Sequence, residues 1–219
     1  PYIRQIRLWE SEGAIEASSA ADALEPPNVI VFTGHAIDHP NSGETRFPPE
    51  LEDALRHEIK AKLDELNVQI GYCSAACGAD LLFIEAMMER DAKVNVILPC
   101  GVDDYVAASV AYAGSRWEKR FRNALRLADT VSFATTEPYL GHDSVYRFGN
   151  QMLHGMAILR AQFLETAPHL LAVWDMKEGS LPGGAADFID QWGDISRLRI
   201  IDLDDLLTTA QEDGSISKT

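Results

Sequence analysis

The sequence has few basic residues. Its 219 residues contain 19 Lys and Arg against 34 Asp and Glu, which gives a formal net charge of −15. The sequence has no Lys/Arg-rich run that could form a positive surface along a phosphate backbone, so we expect no polymeric nucleic acid partner. A single phosphorylated metabolite remains a candidate ligand, because backbone N–H groups at a helix N-terminus can bind an anion even in a protein without net positive charge.

Cysteines and long apolar runs are also scarce. The three cysteines, Cys73, Cys77 and Cys100, lie in or beside apolar segments, and their spacing matches neither a zinc site nor a Cys-x-x-Cys redox pair. We interpret them as buried residues of a protein in a reducing, cytoplasmic compartment. No apolar run approaches the length of a membrane span, which predicts a soluble chain without a membrane partner.

The signatures of several enzyme classes are missing. There is no G-x-S-x-G, G-x-G-x-x-G, G-x-x-x-x-G-K-[ST] or H-E-x-x-H motif, and the 6 histidines are scattered. An α/β-hydrolase, a standard dinucleotide-binding enzyme, a P-loop NTPase and a zinc peptidase are therefore not supported. We expect neither a metal nor a cofactor.

What the sequence does contain is a regular alternation of strands and helices from Asn28 onward. Six apolar runs are predicted as strands: NVIVFTG, QIGYCSA, KVNVILP, TVSFATT, HLLAVWD and RLRIIDL. Strands that are apolar throughout and separated by helices indicate a parallel sheet covered on both faces. We predict a doubly wound α/β fold with a mostly parallel sheet, in a Rossmann-like three-layer α/β/α arrangement.

Residues 28–203 form one predicted domain. Residues 1–27 end in Pro26-Pro27 and are interpreted as an N-terminal extension or linker. Residues 204–219 are interpreted as a helix end followed by a polar tail. The chain starts at Pro1 without Met or a signal-like segment, which indicates a piece of a longer protein or a processed chain.

The loops after the strands carry the candidate binding residues, because ligands of such sheets bind beyond the carboxyl ends of the strands. After the first strand, Thr33 and His35 flank Gly34 and offer a hydroxyl and an imidazole to an anionic or sugar group. An ordinary glycine turn with exposed histidines explains these three residues equally well.

A run of small residues follows the second strand. It extends from Ser74 to Gly78 and leads into a helix that opens with Ala79 and Asp80. We expect the first N–H groups of this helix to be free and to form an anion site. Asp80 also suits the helix dipole without any ligand.

Two later loops complete the predicted site. Arg147 and Asn150 lie three residues apart, hence on one helix face, and Arg147 suits a phosphate or carboxylate unless it forms a surface salt bridge. Asp175 ends the fifth strand, and Gly183 and Gly184 open the next helix. Two helix N-termini facing one crevice predict a compact anionic ligand between them.

Several of these segments together resemble the SLOG superfamily, which includes the Lonely-guy (lysine decarboxylase-like) phosphoribohydrolases and the DNA-processing protein DprA. The segments are TGH, SAACGADLLFIEAM, SRWEKRF, YRFGN, AVWD and PGGAADFIDQW. More specifically, they resemble SLOG-type domains that accompany tetratricopeptide repeats or nucleotide cyclases in bacterial signalling proteins. The resemblance implies a nucleotide pocket at the strand ends, fusion to other signalling or repeat domains, and packing against a second copy as a homodimer.

The enzymatic branch of this superfamily carries PGGxGTxxE, whose glycines and Thr hold a phosphate while the Glu acts on the ribosyl bond. Gly183 and Gly184 match this motif. Ala186, Asp187 and Asp190 stand at the positions of the second Gly, the Thr and the Glu. The shorter Asp carboxylate reduces the hydrogen-bond reach that acid/base chemistry needs.

These departures favour recognition over turnover. We therefore predict a module that binds or senses a nucleotide or nucleotide derivative and is not an enzyme. The alternative is a hydrolase of the N-glycosidic bond of nucleoside monophosphates, with Asp190 as acid/base and Arg147 as anchor. A third hypothesis is a protein that has lost ligand binding and serves as a scaffold, with its long apolar helical faces mediating oligomerisation.

Overall fold

The computed structural model describes residues 8, 9, 11, 25–177 and 184–212. Within these residues, six strands alternate with seven α-helices. The strands are β1 Asn28–Gly34, β2 Val68–Cys73, β3 Lys93–Leu98, β4 Thr130–Phe133, β5 His169–Trp174 and β6 Leu198–Asp202. The helices are α1 Glu52–Glu65, α2 Ala79–Glu89, α3 Val102–Ser109, α4 Ser115–Leu127, α5 Ser144–Phe163, α6 Ala185–Trp192 and α7 Leu203–Glu212.

The six strands form one parallel sheet in the order β4-β3-β2-β1-β5-β6. The chain moves outward from β1 to β4 and then returns to the other side of β1, where it adds β5 and β6. The strand order therefore reverses between β1 and β5, where the loops after these two strands lead to helices on opposite faces of the sheet and leave a crevice. The predicted doubly wound α/β fold is confirmed.

Helices cover both faces of the sheet. Successive side chains of a strand point to opposite faces, and in β1 the apolar side chains on both faces are buried under helices. In β1, Ile30 and Phe32 pack into the core under α1, α2, α4 and α7, whereas Val29 and Val31 pack under α5 and α6. Phe32 stacks on Phe83 of α2 with ring centroids 4.4 Å apart. Each fully buried side chain of this size contributes on the order of 2 kcal/mol to the free energy of unfolding.

An ionic cluster joins α1, α2 and α4, three of the helices that cover one face of the sheet. Arg120 of α4 donates to Glu52 of α1 at 2.8 Å and to Glu85 of α2 at 2.6 Å. Arg116 also donates to Glu52, at 2.7 Å. Burial raises the pKa of Glu52, but the two arginines outweigh this effect and hold the pKa below its usual value. The cluster pairs Arg116 and Arg120 with acids of the neighbouring helices α1 and α2.

The three cysteines are buried, as predicted. Burial raises the pKa of each thiol, to about 11 for Cys77, so the thiols stay protonated at neutral pH. Among the helices of the described ranges, none has the length and apolar character to cross a bilayer. In the same part of the chain, no group of three His, Cys, Asp or Glu residues is placed to hold a metal ion.

Candidate ligand-binding cleft at the strand ends

A cavity of about 110 Å³ lies at the C-terminal ends of β1, β2 and β3 and is closed by α2, α3, α5 and the start of α6. Its lining combines small, hydroxyl-bearing, aromatic and aliphatic side chains with one acid. The lining residues are Phe32, Thr33, Gly34, Ser74, Ala76, Asp80, Ile97, Pro99, Tyr105, Ser109, Tyr146, Gly149, Asn150, Leu153, Gly184 and Ala185.

The cavity brings together half of the residues singled out in the sequence. Those that line it are Thr33, Gly34, Ser74, Asp80, Asn150 and Gly184. Those described but outside the lining are His35, Gly78, Ala79, Arg147, Asp175 and Asp190. Gly183 lies outside the described residues. None of the described residues that line the cavity is Lys, Arg or His, so an anion there would meet no cation.

Asp80 is the acidic group of the cavity. It is the second residue of α2, is 6% exposed, and accepts a hydrogen bond from the Ala76 N–H at 3.0 Å. Burial raises the pKa of this carboxyl to about 7, an effect that the Ala76 N–H offsets only in part. A carboxyl with a pKa this far above its usual value can carry a proton near neutral pH and then donate as well as accept a hydrogen bond.

The N–H groups of the turn before α2 donate hydrogen bonds to acceptors within the protein. Four of its N–H groups donate internally: Ala75 to the Tyr105 hydroxyl, Ala76 to the Asp80 carboxylate, Cys77 to the Ser109 carbonyl and Ala79 to the His35 carbonyl. The sequence predicts free N–H groups at the start of the helix, and the structure differs there for Ala79, whose N–H has an internal acceptor. A side-chain carboxylate already lies where a bound phosphate was expected.

Two glycines in this region permit close backbone approach. Gly78 has a φ of 118°, and a Cβ there would collide with the backbone nitrogen of Ile37. A Cβ on Gly34 would lie 2.6 Å from the Cβ of Ala79 and 3.0 Å from that of Val173. Gly34 therefore lets α2 approach the end of β1, rather than making the sharp turn expected from the sequence.

Two serine–tyrosine pairs supply hydroxyl groups to the cavity wall. Ser74 Oγ lies 2.9 Å from Tyr105 Oη, and Ser109 Oγ lies 3.0 Å from Tyr146 Oη. In each pair either oxygen can be the donor. Burial raises the pKa of both tyrosines, so both keep their protons. Sequence reasoning missed Tyr105, Ser109 and Tyr146; the available signal was the i, i+4 spacing of Tyr105 and Ser109, which places both on one face of α3.

A histidine–aspartate pair lies at the ends of the adjacent strands β1 and β5. His35 Nε2 is 3.2 Å from Asp175 Oδ1, and Arg46 Nε is 3.5 Å from Asp175 Oδ2. Asp175 is 1% exposed, and its Oδ2 has no hydrogen-bond partner among the described residues. Burial lowers the pKa of His35, although Asp175 acts in the opposite direction, so the imidazole is neutral at pH 7.

Arg147, the predicted anion anchor, is engaged by the protein itself. Its Nη2 donates to Asp187 Oδ1 at 2.8 Å and its Nε donates to Asp187 Oδ2 at 3.1 Å. Asp187 stands at the position where the enzymatic SLOG motif has Thr. Asp190, the predicted acid/base, is exposed and does not line the cavity.

No protein-family model and no curated protein sequence matches the chain. Among solved structures, the chain is similar to DNA processing protein A from Helicobacter pylori, which was studied for its single-stranded DNA binding mode. The two share 10% sequence identity at a TM-score of 0.38, and the match covers 88% of this chain and 84% of the other. DprA thus stands as a structural neighbour with a Rossmann-like fold, and a similarity at this level assigns no ligand.

The comparison contradicts two predictions from the sequence. The sequence predicts a nucleotide-sensing module and no polymeric nucleic acid partner, whereas the solved structure belongs to a protein described as binding single-stranded DNA. The geometry gives physical reasons against a nucleotide site, because the turn N–H groups and Arg147 already have partners. The N-glycosidic alternative is not retained either, since Asp190 lies outside the cavity lining.

Proposed function

We propose that the cleft binds a compact, uncharged ligand that carries several hydroxyl groups, such as a monosaccharide or another small polyol. The observation that carries this proposal is the lining of the cavity, in which Asp80, a carboxyl that is 6% exposed, lies beside a wall of hydroxyl groups with no Lys, Arg or His among the described lining residues. A binding role of this kind needs no metal or cofactor.

The charge of the cavity opposes an anionic ligand. Ionised Asp80 repels a phosphate, and no cation among the described lining residues compensates for that repulsion. Desolvating an anion without a partner costs several kcal/mol or more, whereas a hydroxyl group needs one donor and one acceptor nearby. An uncharged ligand is therefore the class that the lining accommodates at lowest cost.

The lining matches the two surfaces of a small sugar. Hydroxyl groups of the ligand meet Asp80 and Thr33, together with the Ser74–Tyr105 pair, each of which can accept or donate. Its C–H groups meet the apolar floor formed by residues such as Phe32.

The size of the cavity agrees with a ligand of one sugar ring. A cavity of about 110 Å³ has room for roughly nine non-hydrogen atoms, since a bound water needs roughly 10–15 Å³ by the same measure. A pentose or a small cyclic polyol fits this space, and a larger ligand extends from the open side of the cleft.

Thermal unfolding and calorimetry with a panel of pentoses, hexoses and small polyols test the proposal, with orthophosphate and a single-stranded oligonucleotide as separate arms. A polyol at about a hundred times its Kd should raise the free energy of unfolding by about 2.7 kcal/mol. Asp80→Asn should weaken that polyol at least about tenfold, because it removes a charged hydrogen-bond partner.

Asp103→Asn is the matched control, because Asp103 is an exposed acid in the first turn of α3 outside the cavity. It should leave polyol affinity unchanged. The proposal is wrong if orthophosphate stabilises the protein more than every polyol does, or if no polyol stabilises it at all.

A further inference from the structure

A concentration of basic residues on α4 stands out in this acidic chain. Of the 19 Lys and Arg residues, five lie on this helix: Arg116, Lys119, Arg120, Arg122 and Arg126. The helix carries one acid, Glu118. The sequence prediction that no basic stripe exists rested on the net charge of the chain and on the absence of a run of Lys and Arg. The cations of α4 escape both criteria, because they are separated along the sequence by other residues.

Three of these cations form a ridge along the solvent side of α4. Trp117 and Phe121 are buried and face the sheet. Lys119, Arg122 and Arg126, here called the α4 ridge, fall within an arc of about 60° on the opposite side of the helix. All three are exposed.

The α4 ridge has no internal ionic role. Arg116 and Arg120, on the flank of the helix, are bound by Glu52 and Glu85. No ion pair among the described residues involves a member of the ridge, and Arg126 donates to the Asn123 side chain at 2.6 Å. The ridge therefore presents three exposed cations, none of which forms an ion pair with a carboxylate among the described residues, although Glu118 lies one turn before Arg122.

We propose that the α4 ridge binds the sugar-phosphate backbone of a single-stranded nucleic acid. Its members are spaced about 4.5 and 6 Å apart along the helix axis, about 10 Å in all, which lets long flexible side chains reach two or three consecutive phosphates. Two of the three are Arg, whose guanidinium donates two parallel hydrogen bonds to one phosphate. This surface is separate from the cleft and does not depend on its ligand.

The surroundings of the ridge select a narrow partner. Helices α1 and α2 pack beside α4 on the same face of the sheet, and α1 with the turn before it exposes acids such as Glu50 and Asp53. A flat anionic bilayer or a globular acidic protein would be brought against these acids, with repulsion at short range. A single strand touches the ridge alone, and salt screens the acids beyond about 8 Å.

An extended acidic peptide is also narrow, but the ridge lacks what such peptides use. Extended peptides dock by adding a strand to a sheet edge or by filling apolar pockets. Helix α4 has no sheet edge, and the α4 ridge consists of charged residues. A phosphate backbone needs only cations at suitable spacing, since phosphate contacts give affinity without sequence readout.

Fluorescence anisotropy with a labelled oligothymidylate of about twelve nucleotides tests the proposal. Three phosphate contacts on a single strand give a slope of about −2 for log affinity against log salt, so affinity should fall roughly 20-fold between about 50 and 200 mM salt. Each single substitution, Lys119→Ala, Arg122→Ala or Arg126→Ala, should make that slope shallower by about 0.7, and the triple substitution should abolish the salt-sensitive binding.

The control removes the same number of positive charges elsewhere, with Lys62→Ala, Lys93→Ala and Arg160→Ala combined. It should retain the binding and its salt slope. Circular dichroism verifies that each variant is folded, and Arg122→Ala alone decides the question if the triple variant is not. The proposal is overturned if the oligothymidylate does not bind, if the control loses as much affinity as the ridge variant, or if polyglutamate or phosphatidylserine vesicles displace the oligonucleotide at equal charge concentration.

Discussion

Arg147 of α5 and Asp187 of α6 form a two-point ion pair, with Nη2 2.8 Å from Oδ1 and Nε 3.1 Å from Oδ2. The pair joins two helices that border the cleft, and the Arg147 side chain is half exposed. The cation that the sequence assigns to an anionic ligand is therefore already paired with Asp187 of the protein itself.

Asp187→Thr should release Arg147 and make orthophosphate binding stronger, because a free guanidinium attracts anions. The melting temperature should hardly change, since an exposed pair is screened by solvent. Titration calorimetry with orthophosphate measures the affinity. Asp190→Thr removes the same charge from the same helix and should have no such effect; an equal gain in both variants would show that net charge, and not Arg147, is responsible.

Asp80 should make the free energy of unfolding depend on pH in a defined direction. Its pKa is about 7 in the folded protein against a usual value of 3.8, so between these values the folded state holds the extra proton. Stability should therefore fall as pH rises from about 4 to about 7 and level off above that range. At most, the loss is roughly 4 kcal/mol, at about 1.4 kcal/mol per pKa unit.

Asp80→Asn, whose amide oxygen can still accept the Ala76 N–H, should remove this dependence. The difference in free energy of unfolding between variant and parent, measured by urea denaturation, should grow in favour of the variant as pH rises. A difference that is constant with pH would show that Asp80 titrates normally.

The His35–Asp175 contact should be visible in the titration of the imidazole. Burial lowers the pKa of His35, and the Asp175 carboxylate partly restores it. Asp175→Asn removes that opposing charge, so the pKa of His35 should fall further below 6.5. Nuclear magnetic resonance of the imidazole groups measures the change. His154, whose pKa is lowered by burial alone, should titrate as before; a rise in the pKa of His35 would contradict the contact.

Gly34→Ala should destabilise the fold by about 1–3 kcal/mol through overpacking, because the new Cβ would lie 2.6 Å from the Cβ of Ala79. Gly101→Ala serves as the control, since a Cβ there meets nothing within 4 Å. Urea denaturation compares the two variants with the parent chain. Equal stability of both variants would mean that β1 and α2 approach each other less closely.

The fold was predictable from the sequence because the central strands β1, β2 and β5 are apolar on both faces and the six strands alternate regularly with helices. The bounds of β1, Asn28–Gly34, agree with the predicted NVIVFTG to the residue. The hydrogen-bond acceptors of the N–H groups in the turn before α2 could not be predicted from the sequence. Whether the Ala76 N–H meets a ligand or Asp80 depends on side-chain orientation at the helix start, and spacing along the chain does not specify that orientation.

The basic surface of α4 was overlooked for a related reason. The letters SRWEKRFRNALRL contain the five cations, but their arrangement depends on which helix face is buried. Only the packing of Trp117 and Phe121 separates the arginines held by Glu52 and Glu85 from the cations left on the solvent side.

The two serine–tyrosine pairs do not fix which hydroxyl groups of the cleft wall donate and which accept. In the Ser74–Tyr105 and Ser109–Tyr146 pairs, rotation of both O–H bonds exchanges donor and acceptor without moving a heavy atom. For the polyol site that we propose, this predicts that two epimers differing in the direction of a single hydroxyl group are held by the same oxygens. The Asp80 carboxyl, whose Oδ2 accepts the Ala76 N–H, is then the group that we expect to distinguish such isomers.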